Sequence, residues 1–309
     1  MKWLAKAVAF KAFSTIPGGE SFYRYLQTNW TKSIIATPAR VGQKIDIGMR
    51  YLAWLDSHGY TIDDIRKLRH LDLGCGWHPT IPILYSKMGL KGQVLTDLNY
   101  LICAQTFRES LEFVNQLTAD PEHPAHALLQ ESAGQPPPAN ASLNELLKHA
   151  GMEYHAPYVD WARNAGERID LATCTQVLMH VERPILDDCF KIIFDLLHSG
   201  GIFMSTVHLF DIYSNSDPNI TIYNHVRYSK NLWSKWVNSD MMPFNRYKAR
   251  DYREALEGAG FEIVEFDIDH GTAEDLRALR SLKVHPEFSA RYTEEELADK
   301  HLFFVARKP

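Results

Sequence analysis

A chain of 309 residues with 45% hydrophobic content can build one sizeable core with appended elements. A formal net charge of -5 excludes the basic footprint of a general nucleic-acid binder. The cysteines at 75, 103, 174 and 189 lie far apart and form no CxxC pair, which excludes a dense disulfide scaffold and suits a reducing cytoplasm.

Residues 1–66 read as a helical cap or lid. The start, Met1-Lys2-Trp3-Leu4-Ala5-Lys6-Ala7-Val8-Ala9-Phe10-Lys11, is basic and apolar, but Lys6 and Lys11 interrupt the run a signal peptide would need. Two readings stand: the apolar side packs on the protein, or the helix touches a membrane surface. No apolar stretch approaches the ~20 residues of a spanning helix. After a break at Pro17-Gly18-Gly19, a longer helix is predicted from about Ala39 to Ser57.

From Arg69 onward, short apolar runs alternate with helical patterns, the texture of βα units around a parallel sheet. Strands are predicted near 69–74, 93–97, 153–158, 169–174, 200–206, 261–267 and 302–307. Helices are predicted near 79–89, 101–117, 183–198, 249–259 and 272–282. Residues 67–309 thus form an α/β core with two insertions. The first, about 118–152, carries Pro-rich runs that continue neither helix nor strand, and ends in a short helix at Leu143–His149. The second, 207–248, is rich in Tyr, Asn, His and Asp and follows the fifth strand, where an active-site cover could lie. Thr293-Glu294-Glu295-Glu296 reads as a helix capping box.

His70-Leu71-Asp72-Leu73-Gly74-Cys75-Gly76-Trp77 is an apolar strand ending in a glycine turn, with Pro79 at a helix start. Glycines let a backbone approach a ligand closely. A dinucleotide fingerprint needs a third glycine at 79, where Pro stands, so a pyrophosphate fits poorly. Asp72 at the strand end suits an ammonium group instead. Asp97 ends the second strand, 21 residues after Gly76, where nucleotide-binding α/β folds place an acid on ribose hydroxyls. Asp160-Trp161 offers an acceptor for an adenine amine beside an aromatic face. The set points to an adenosine without a pyrophosphate.

These ordered motifs resemble the class I S-adenosylmethionine-dependent methyltransferases over roughly residues 67–309. Asp72-Leu73-Gly74-Cys75-Gly76 matches the first motif, with His78 replacing its third glycine. Asp97 matches the ribose acid and Tyr158-Val159-Asp160-Trp161 the adenine motif. Ile169–Val181, which contains Gln176, Val177 and His180, resembles the fourth-strand motif. Leu196–Phe203 and Gly260–Val264 resemble the entries to later strands. A closer resemblance is to bacterial methyltransferases sharing Gly76-Trp77-His78-Pro79, Asp97-Leu98-Asn99, Tyr223-Asn224, Arg227-Tyr228-Ser229 and Asn245-Arg246. The resemblance implies a Rossmann-like seven-stranded, mostly parallel sheet with its last strand antiparallel. It also implies S-adenosyl-L-methionine as cofactor, held by Asp72, Gly74, Cys75, Gly76, Asp97, Leu98, Asp160, Trp161, Gln176 and Val177.

With the methyl group already activated on a sulfonium, such a protein has to position a nucleophile and exclude water. A hydroxyl acceptor benefits from a base, and the candidates at strand C-terminal ends are His180, His208, Asp211 and Tyr213. The polar 207–248 segment suits a small polar acceptor: a sugar, an amino acid or a natural-product intermediate. Two further readings remain open: a reaction of the aminocarboxypropyl portion that releases methylthioadenosine, and a non-catalytic cofactor-binding interaction protein. His123 and His126 lack an obvious third ligand, so no metal is expected. Thr175-Gln176-Val177-Leu178 stands where an Asp/Asn-Pro-Pro-aromatic tetrapeptide would signal base methylation in nucleic acid.

Overall fold

The predicted strands appear as β1 (His70–Leu73), β2 (Gln93–Thr96), β3 (Met152–His155), β4 (Ile169–Thr175), β5 (Leu197–His208), β6 (Glu262–Asp269) and β7 (His301–Arg307). They form one seven-stranded sheet in the order β3-β2-β1-β4-β5-β7-β6. The pairs β1–β2, β1–β4 and β2–β3 are parallel, and β6–β7 is antiparallel. The expected Rossmann-like topology is therefore present. The computed structural model describes residues 2–15, 36–129, 138, 140–165, 169–215, 217–239 and 242–309. The Pro17-Gly18-Gly19 break and most of the 134–138 Pro-rich run lie outside these.

Two predicted strand boundaries move by three residues. The third strand stops at His155 instead of 158, because Pro157 has no N–H for the ladder. Tyr158–Asn164 is instead a helix, so Asp160 and Trp161 sit on its first turn and not at a strand end. The fifth strand starts at Leu197, three residues ahead of the Gly200-Gly201 pair at which it was expected to begin. Two backbone bonds carry the strand back that far: Gly200 N–H donates to Lys308 O at 2.8 Å, and Lys308 N–H to Gly201 O at 3.0 Å.

The chain packs as two compact units. One comprises Ile34–Thr175, Asp195–Met204 and Lys308–Pro309, and the other Met1–Ser33, Gln176–Phe194 and Ser205–Arg307. In the first, every side chain of β1 and β2 is buried. The helix Pro38–Ser57 starts on a Thr37 cap, with Pro in its first turn. It buries Val41, Ile45, Tyr51, Leu52 and Leu55, a helical-period stripe. Gly48 lets it approach the helix Thr80–Lys87 closely: a Cβ there would lie 3.3 Å from Leu84, and Tyr85 Oη donates to Gly48 O at 3.0 Å. In the first insertion, Leu143–Ala150 forms the expected helix, between a Ser142/Glu145 capping box and left-handed Gly151.

The second unit contains β6, β7 and the polar 207–248 segment, which is built around Trp233, only 1% exposed. Trp3 stacks on Trp233 at 6.3 Å and 19°, and the Arg246 guanidinium lies 5.0 Å over the same ring. Lys11 Nζ ties the helix Lys2–Thr15 to the helix Lys230–Trp236 by donating to Ser234 O and Asn238 O at 3.2 and 2.9 Å. The predicted capping box before Glu294–Ala298 is formed by Thr293 and Glu296.

Lys248 is fully buried here and donates through Nζ to Leu209 O at 2.7 Å and Asp299 O at 3.3 Å. Burial drives its pKa down to about 7. The unfolded chain, with an ordinary lysine near 10.4, then binds more protons than the folded one from about pH 7 to about 10. Stability should rise with pH across that window, and Lys248→Met should flatten the rise. Thermal melts at pH 7 to about 9.5 on both proteins check this; a wild type with no such rise would refute it.

Candidate active site

The turn after β1 opens on two left-handed glycines, Gly74 at φ 75° and Gly76 at φ 65°. Its amides are engaged within the chain: Gly74 and Cys75 N–H donate to Thr96 O at 2.8 and 3.1 Å, and Gly76 N–H donates to Asp97 Oδ2 at 3.0 Å. A phosphate cradle needs such amides pointing at the ligand. Their use here agrees with the poor fit of a pyrophosphate. The Cys75 thiol is buried and pushed well up by burial, then by Asp72 and Asp97, so it stays neutral.

Asp72 is 5% exposed. Its Oδ1 and His70 Nε2 each lie 2.8 Å from the Thr173 hydroxyl. His70 Nδ1 lies 3.0 Å from Gln93 Oε1, and Gln93 Nε2 donates to Pro82 O at 2.9 Å. The Gln93 oxygen can only accept, so His70 Nδ1 carries a proton. Thr173 has one proton to give. If it goes to an ionised Asp72, then His70 Nε2 must also be protonated. If it goes to His70, Asp72 must carry its own proton. Burial, the largest influence on each, raises the Asp72 pKa and lowers that of His70, favouring the neutral pair. An arriving ammonium group would favour the ionised carboxylate.

Asp97, at the end of β2, accepts from Gly76 N–H and, at 2.7 Å, from Leu98 N–H. Burial raises its pKa, and these amide bonds oppose the rise. Leu98 and Tyr100, 64% and 68% exposed, set an apolar surface next to this carboxylate. Tyr158 N–H donates to Asp97 O at 2.9 Å, which fixes the start of the helix bearing Asp160 and Trp161. Trp161 stacks on His155 at 5.7 Å and 20°, and Asp160 is exposed. Asp72, the glycine turn, Asp97 and the start of that helix therefore come together in the first unit.

The other predicted residues belong to the second unit. Gln176 adopts a left-handed φ of 58°, rare for a non-glycine residue, and its N–H donates to Thr206 O at 2.8 Å; Val177 leads into the turn Leu178–His180. His180 Nδ1 lies 2.5 Å from Pro243 O, which can only accept, so Nε2 is left with its lone pair. Burial lowers the His180 pKa and keeps the ring neutral. His208 ends β5, and its buried Nδ1 has no hydrogen-bond partner among the described residues. Burial, then His301 and His180, bring it down to about 4. Asp211 and Tyr213 are held differently: both are fully buried, Asp211 accepts from Tyr213 N–H and Asn224 Nδ2 at 2.9 and 3.2 Å, and Trp3 and Trp233 flank the Tyr213 ring. Burial raises Asp211 to about 6. His123 and His126 bond to backbone groups of Ala125 and Thr118, and no cluster of three metal-binding side chains occurs among the described residues.

The methyltransferase domain family matches residues 39–266. The chain belongs to this family. Similar folds include a geranyl diphosphate methyltransferase in complex with SAM, at 13% identity, 88% of this chain, 90% of that one and a TM-score of 0.45. A Mesorhizobium loti S-adenosylmethionine-dependent methyltransferase gives 17%, 78%, 90% and 0.39. The [4+2]-cyclase SpnF gives 16%, 78%, 75% and 0.40. No curated protein matches the chain.

One residue of this chain at the same turn escaped the sequence reading. Lys44, from the helix Pro38–Ser57, lines a small cavity with Asp72, Gly74, Cys75, His78 and Thr175, and its charge opposes the rise in the Asp72 pKa. A cation and an ionisable carboxyl group lining one cavity are complementary in charge to a zwitterionic amino-acid group once the carboxyl ionises. The available signal was weak: a lysine beside the buried Ile45 of an apolar helix stripe.

Proposed function

We propose that the chain transfers the methyl group of S-adenosylmethionine to an oxygen or nitrogen of a small polar acceptor. The observation that carries this reading is the pairing of Asp72 and Lys44 at one cavity beside a glycine turn whose amides are already engaged. Asp72 would hold the cofactor's ammonium and Lys44 its carboxylate. Asp97 would take the ribose hydroxyls, with Leu98, Asp160 and Trp161 around the adenine. When bound, the cofactor supplies a methyl carbon already activated by its sulfonium.

Of the four base candidates, His180 is the best suited to accept a proton from an acceptor hydroxyl, because Pro243 fixes its tautomer and burial keeps it neutral. His208 is a second imidazole that burial keeps neutral. Asp211 and Tyr213 serve as posts of the 207–248 core. The four cysteines are free, three of them buried, which favours a reducing cytoplasm as the site of action. Among the described residues no helix is long and apolar enough to cross a membrane.

The test is incubation with methyl-labelled cofactor and a small-metabolite extract. S-adenosylhomocysteine formed only with extract, together with label in a small product, is the expected result. Methylthioadenosine release would overturn methyl transfer in favour of aminocarboxypropyl chemistry, and no turnover would leave a binding protein.

A further inference from the structure

A surface helix ordinarily sets polar residues opposite its buried stripe. In the helix Lys2–Thr15 the buried stripe is Trp3, Ala7 and Phe10, packed within the second unit. Its opposite face carries Ala5, Val8 and Ala12, all exposed, with Val8 at 42%. No carboxylate occurs in this helix; Lys2 and Lys6 border one side of the face and Lys11 the other. The helix tied to it by Lys11, Lys230–Trp236, has the same character. It buries Trp233, exposes Leu232 at 44% and Trp236 at 52%, and adds Lys230 and Lys235 without a carboxylate of its own. Lys235 Nζ lies 5.5 Å from the Trp236 ring, a cation beside an amphipathic aromatic. Asp217 and Glu287 each accept from a first-turn amide of one helix, from Trp3 and Lys230, so on a chain of net charge -5 the positive charge of this face rests on its lysine side chains.

We infer that these two helices form a docking face for an anionic lipid surface, with Val8, Leu232 and Trp236 entering the interfacial layer and Lys2, Lys6, Lys230 and Lys235 meeting the headgroups. Lysines ringing exposed apolar and Trp side chains match the layered chemistry of a membrane interface, where each attracts a different depth of the lipid. A symmetric second copy fits less well, since an isologous contact would set the lysines of one face against those of the other.

Co-sedimentation of the full chain with phosphatidylcholine vesicles, with and without phosphatidylglycerol, tests this. Binding is expected only with the anionic lipid and should fade at high salt. It should drop at least about tenfold in Lys2→Gln/Lys6→Gln/Lys235→Gln and in Leu232→Ser/Trp236→Ser. Both variants should keep the wild-type melting temperature. Overturning results are no sedimentation with either vesicle, equal sedimentation with both, variants that bind like wild type, or concentration-dependent self-association abolished by the same substitutions.

Discussion

Replacing Asp72 by asparagine is expected to weaken binding of S-adenosylmethionine and S-adenosylhomocysteine about a hundredfold, roughly 3 kcal/mol, because a buried charge-assisted contact to the ammonium is lost. Asn keeps the volume and can still bond Thr173, so the melting temperature of the free protein should change little. The pH dependence gives a sharper check. Burial raises the Asp72 pKa, so in the free protein its contribution to stability is present below the ordinary carboxylate range and lost as pH rises through the raised value. Cofactor binding has the opposite sign, since the ammonium needs the ionised carboxylate. The thermal shift produced by S-adenosylhomocysteine should therefore shrink as pH falls through that raised pKa in the wild type, and should be small and flat in Asp72→Asn. Equal affinity of the two proteins at neutral pH would remove Asp72 from the site.

Trp233→Ala should cost about 3–5 kcal/mol, the range for deleting a large core aromatic. Trp233 is 1% exposed, with Trp3, Tyr213, Tyr228 and Phe244 within about 6.3 Å and Arg246 over its face. Trp233→Phe should cost much less. It keeps a ring under Arg246 and removes an indole N–H that is buried without a hydrogen-bond partner among the described residues. Urea denaturation followed by circular dichroism measures both. A loss within about 0.5 kcal/mol for the alanine variant would show that the 207–248 segment does not depend on this anchor.

The parts legible in the sequence were local. Strand β1, its glycine turn and Asp97 follow from short apolar runs and the length of one βα unit, because neighbouring residues decide them. The misplaced third-strand end shows the limit: Tyr158-Val159 continues an apolar pattern, yet the missing N–H of Pro157 ends the ladder and turns Asp160 and Trp161 onto a helix. By composition the 207–248 segment reads as a polar cover. Its composition concealed a core, because Trp233, Arg246, Asp211 and Lys248 are buried through contacts with Trp3, Phe288, Asn224 and Asp299, all distant in sequence except Asn224. Lys44 was missed for the same reason: only the packing of its helix brings it to Asp72.

The central claim, an adenosyl cofactor seated on the Asp72–Trp77 turn, is tested most directly by amide hydrogen exchange with and without S-adenosylhomocysteine. The account predicts protection concentrated in residues 72–78, 97–99 and 158–161, and its loss in Asp72→Asn. Unchanged exchange in those segments, or protection confined to 207–248, would contradict it.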